Sequence, residues 1–120
     1  MTWRITASFL LLASNLAAQQ SDSAIDLLRQ AVALARDGRA GSQRTTLGLL
    51  LAAADAARRS RNRTVEGYAL LNAAQVYNNL GRPDSASLVA RRGLDRLPRR
   101  AAANSAPLLL VVGETMQYLG

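Results

Sequence analysis

The apolar pattern of this chain recurs at an interval near 40 residues, and that interval leaves few folds open. Moving the stripe Leu70, Ala73, Ala74, Tyr77 and Leu80 forward by 39 positions lays it on Leu109, Val112, Gly113, Met116 and Leu119. Gly81 then falls on Gly120. Moving back by 43 lays Leu70, Ala74 and Tyr77 on Leu27, Ala31 and Leu34, and Gly81–Arg82 on Gly38–Arg39. The same shift lays Ala90, Gly93, Leu94 and Leu97 on Leu47, Leu50, Leu51 and Ala54. Two amphipathic segments per period of this length mark helical hairpins stacked into a solenoid.

Composition agrees with helices. Alanine supplies 23 and leucine 21 of the 120 residues, and there are three prolines. An all-α fold follows from those propensities. The first helix is expected from Ser21 to about Asp37, with Ser21 as N-cap, Asp22 facing the positive end of the dipole and Gly38 as the stop. The second runs from about Ser42 to Ser60 with Leu47, Leu50, Leu51 and Ala54 on one stripe. The third starts after Thr64 as N-cap and ends near Leu80 and Gly81. The fourth begins at Pro83, with Asp84 in its first turn, and ends before Pro98. A fifth runs from about Ser105 to Leu119. Its run Leu108 to Val112 would suit a strand if taken alone, and the repeat decides for a helix. Asp22-Ser23-Ala24 recurs as Asp84-Ser85-Ala86, which reads as shared capping chemistry at two helix starts.

The leading residues read as an address. Met1 to Arg4 carries one positive charge, Ile5 to Leu12 is apolar, and small residues end at Ala17 and Ala18 before a polar stretch. That order is expected of a secretory signal peptide spanning 1–18. The uncharged run from Ile5 to Ser21 is 17 residues, short for a membrane span. No cysteine follows it, which argues against a lipoprotein anchor. The expected mature chain, 19–120, carries 14 arginines against eight acids and is periplasmic or secreted. Its repeat units are expected at about 24–66, 67–105 and an incomplete 106–120.

The chain has no cysteine, histidine or lysine, and all 15 basic residues are arginine. Cysteine–histidine zinc sites, histidine-dependent triads and lysine Schiff bases are therefore ruled out. Asp22 and Asp26, one turn apart, read as helix-start acids rather than a catalytic pair. Asp55 and Glu66 offer carboxylates alone, and a short solenoid provides no enclosed pocket for a glycosidase pair. Neither metal nor cofactor is expected, and the chain reads as no enzyme. Arg58, Arg59, Arg61 and Arg63 form one basic cluster; Arg91, Arg92, Arg96, Arg99 and Arg100 form another. Helix-end electrostatics and the arginine usage of a GC-rich genome account for both. No aromatics interleave them, so nucleic acid is set aside as a partner. Asn62-Arg63-Thr64 matches a glycosylation acceptor, but capping by Thr64 explains it better.

The stretch Gly67 to Pro98 resembles a tetratricopeptide repeat. Leu70, Ala73, Ala74 and Tyr77 stand on its first helix, Leu80–Gly81 in the turn, and Ala86, Ala90, Gly93 and Leu94 on its second helix before Pro98. Ala73 and Ala90 depart from the larger residues usual in that family, and Gln30 and Gln43 fall on core positions of the weaker first unit. The resemblance implies an α-α superhelix of about two and a half hairpins that binds a protein or peptide without catalysis. Its concave face would carry Tyr68, Leu71, Gln75, Asn78 and Asn79, and, on the fifth helix, Leu110, Glu114, Gln117 and Tyr118. The family's lysine-based grip on a terminal carboxylate is not available here. Two further readings stand beside it. One is an extracytoplasmic repeat segment of a larger signalling or enzymatic protein; the other is a basic helical module on anionic envelope surfaces. The expected uncovered flank of the fifth helix calls for a cover, either further chain or self-association.

Overall fold

A computed structural model describes residues 2–38 and 41–99, with side chains from residue 18 onward. Four helices make up the described residues: α1 (Thr2–Asp37), α2 (Ser42–Arg59), α3 (Arg63–Asn79) and α4 (Pro83–Arg96). There is no strand among them. Each helix packs on the next, and α1 also reaches α3. The fold is an all-α arrangement of helical hairpins. The expected fifth helix, with Leu110, Glu114, Gln117 and Tyr118, lies outside the described residues.

The start of α1 differs from expectation. Ser21 and Asp22 lie within the helix, so neither caps it and the match to Asp84-Ser85 is not one of helix ends. Ser21 has a different task. Its hydroxyl accepts a 3.0 Å hydrogen bond from Asn62 Nδ2, which ties α1 to the α2–α3 turn. Beyond that tie, Ala24, Leu28, Ala31 and Val32 are buried. Their spacing puts them on one helical face.

Two turns are built alike. After α2, the Asn62 N–H donates to Ala57 O and the Arg61 N–H to Arg58 O. After α3, the Arg82 N–H donates to Tyr77 O and the Gly81 N–H to Asn78 O. Both are Schellman motifs, in which a left-handed residue lets two freed amides reach back to the helix end. Gly81 adopts that conformation at φ 75; Arg61 adopts it at φ 58 with a side chain in the way. Asn62 then starts α3, its Oδ1 accepting from Val65 N at 3.1 Å. The cap is thus Asn62 rather than Thr64, because the Schellman turn already presents Asn62 at the helix mouth.

Part of the burial pattern of α2 recurs in α4. Thr46, Leu50 and Ala53 of α2 are buried, as are Ala86, Ala90 and Gly93 of α4, each 40 positions later. Gln43 is exposed, so the 43-residue shift misplaces this helix by nearly one turn. Leu51 of the expected stripe is also exposed, at 37%. Between the two second helices, α3 is buried at every residue from Val65 to Val76.

Candidate functional site

Of the residues expected on the concave face, Tyr68 and Leu71 are interior side chains, 1% and 2% exposed. They cannot meet a partner at a surface. The reason is that α3 is flanked by packed helices, so it has no long solvent face to offer. Gln75 is buried too, and its Nε2 donates to Asn79 Oδ1 at 3.2 Å. Asn78 is half-buried and Asn79 exposed, so the structure keeps only the C-terminal end of that set accessible. Asn79 borders a cavity of about 100 Å³ with Ala35, Gln43, Thr46 and Val76, where α1, α2 and α3 meet. The Thr46 hydroxyl is buried there without a hydrogen-bond partner.

The larger openings lie on the other side of α3, and residues of α4 and of the α3–α4 turn help to wall them. One section, of about 440 Å³, is lined by Arg44, Leu47, Gly48 and Leu51 of α2 and by Leu80 and Arg82 of the α3–α4 turn. The next section, of about 290 Å³, is lined by Leu51, Asp55 and Arg58 of α2, Glu66 and Leu70 of α3, and Arg92 of α4. Leu51 borders both, so the two sections adjoin along α2, and we treat them together as one groove. Arginines of the two sequence clusters, Arg58 and Arg92, thereby meet at the same place.

The acids in the groove are already engaged. Asp55 pairs with Arg58 at 2.7 Å and with Arg59 at 3.0 Å. The Arg58 hydrogen bond, then the Arg59 charge, holds the Asp55 carboxyl below the ordinary aspartate range. The same hydrogen bond raises the Arg58 guanidinium. Glu66 is buried, with Oε2 3.8 Å from Arg96 Nε. Asp55 and Glu66 therefore neutralise arginines and do not form a bare carboxylate pair. Among the described residues no group of three or more acids, histidines or cysteines could hold a metal ion. No described helix is long and apolar enough to cross a membrane.

A sequence signal for the groove existed. Arg44, Leu51 and Arg58 follow one another at seven-residue intervals, which places them on one face of a helix. The pattern is hidden because Leu49 to Ala57 is almost wholly apolar, so hydrophobic periodicity cannot say which side faces in.

The geometry defines the class of protein as an all-α array of helical hairpins with a grooved, arginine-lined surface. Compared with protein-family models, curated proteins and solved structures, the chain matches none.

Proposed function

We propose that this chain is an exported, non-catalytic scaffold of the tetratricopeptide type that binds a protein or peptide. One observation carries the reading most. Three buried positions of α2, Thr46, Leu50 and Ala53, recur 40 residues later as the three buried positions of α4, on either side of an α3 that is buried from Val65 to Val76, which supports stacked repeat hairpins over a bundle of unrelated helices. Such arrays bind through extended surfaces between helices, and the groove beside α3 is a surface of that kind. Export rests on the order of charged, apolar and small residues in 1–18.

Two measurements test it. Mass spectrometry of the protein from producing cells should find an N-terminus near Gln19; an intact Met1 on the folded protein would remove the export half. A library of random twelve-residue peptides displayed on phage should yield binders on the immobilised protein. No enrichment over an unrelated helical protein would remove the binding half.

A further inference from the structure

We infer that the groove between α2 and α4 is the docking surface, and that its occupant is an acidic amphipathic helix. The inference rests on the peptide-binding reading above and names its surface and its ligand chemistry.

The floor decides the conformation of the occupant. Leu47, Leu51, Leu70 and Leu80 line it; α2 forms one wall along its length, and the α3–α4 turn and then Arg92 of α4 form the other. The groove has no free strand edge among the described residues, so an extended peptide cannot add to it by backbone pairing. A helix satisfies its own backbone and needs only an apolar floor for one face. Arg44 and Arg58 stand 14 residues apart on α2, so the groove runs for roughly 21 Å, enough for about four helical turns.

The rims decide the charge. Asp55 and Glu66 are each matched to arginines, as described above. Arg44 and Arg82 at one end, and Arg92 at the other, form no ion pair among the described residues. The groove therefore presents unmatched positive charge at both ends of an apolar strip. A helix with leucine-like residues on one face and glutamate or aspartate beside them complements both features. No aromatic side chain lines either section, so base stacking has no platform there.

The phage selection described above supplies the probe. Its most enriched peptide, made with a fluorescein label, is titrated into the protein and followed by anisotropy and circular dichroism. The peptide should be acidic, should gain helicity on binding, and should bind more weakly as salt rises. The double variant Arg82→Ala, Arg92→Ala and the single variant Leu51→Asp should each weaken it about tenfold or more. Arg29→Ala with Gln30→Ala should leave affinity within about twofold, since both are exposed on α1, which lines neither section. Unchanged binding to the arginine and Leu51 variants overturns the surface assignment and leaves peptide binding intact. A selected peptide that is basic, or that binds without gaining helix, overturns the occupant. If nothing is selected, while phosphatidylglycerol vesicles or single-stranded DNA bind through Arg82 and Arg92, both this inference and the peptide-binding reading fall.

Discussion

Gly67 of α3 and Gly93 of α4 face each other so closely that a Cβ at either position would crowd its neighbours. A Cβ on Gly67 would lie 3.0 Å from Gly93 O and 3.0 Å from Leu97 Cβ; one on Gly93 would lie 3.0 Å from Gly67 O. The two helices touch backbone to backbone at this point. Ala86 and Ala90, also small and buried, prolong the close approach along α4.

Gly67→Ala and Gly93→Ala should each destabilise the fold by about 1–2 kcal/mol, overpacking outweighing the better helix propensity of alanine. The double variant should cost less than the two singles together, since the first methyl already moves the helices apart. Urea unfolding of the four proteins measures this. Stabilisation by either alanine would show that the helices separate freely.

Arg61 occupies the left-handed position that Gly81 fills in the next turn. Arg61→Gly should stabilise the protein by about 0.5–1 kcal/mol, the steric relief exceeding the entropy that glycine loses on folding. Gly81→Ala should destabilise it by about 1–2 kcal/mol for the converse reason. Thermal melts that move the same way for both changes would contradict the Schellman geometry.

Thr46 is 1% exposed, and its hydroxyl has no partner. Thr46→Val keeps the shape and removes the unsatisfied group, so stability should rise by about 1 kcal/mol. In a domain of this size that corresponds to a rise in Tm of roughly 4–8 °C. A fall in Tm would mean that the hydroxyl is hydrogen-bonded in solution, to water in the adjoining cavity.

Asp55 should titrate below 3.8, its ordinary value, because Arg58 and Arg59 favour the carboxylate. Its folded value lies below its unfolded one, so the stabilisation it gives is complete above the unfolded value. That stabilisation disappears as pH falls through the folded one. All three side chains are about half exposed, so salt screens the effect and the change in stability is small. Carboxyl NMR titration should find the Asp55 midpoint higher in Arg58→Ala. An unmoved midpoint would remove Arg58 as the cause.

The helix limits of α2, α3 and α4 were legible to within one or two residues, because Gly81, Pro83 and Pro98 punctuate the chain with steric effects that act locally. Facing was much less legible. Ala73 and Ala74 are buried as expected, but so are Glu66, Tyr68, Leu71, Asn72 and Gln75, because neighbours on several sides make polarity a poor guide to exposure on α3. Asn72 shows how such a residue is accommodated: its Nδ2 donates to Tyr68 O at 2.9 Å within the same helix. The tie from Ser21 to Asn62 spans 41 positions and has no local signature, which is why Ser21 looked like a cap. The groove arginines were visible as two clusters, but only folding brings Arg58 and Arg92 together.

One helix is shared property. Tyr68, Ala69, Leu70, Ala73 and Val76 of α3 belong to the cluster that α1 and α2 complete, while Leu71 and Ala74 of the same helix pack with Ala86 and Ala90 of α4. Melting either side would leave α3 with one wall gone and its apolar residues wetted. The two hairpins therefore have little independent existence. Heat or denaturant should find a single cooperative transition, and a nick in the α2–α3 or α3–α4 turn should loosen both halves at once.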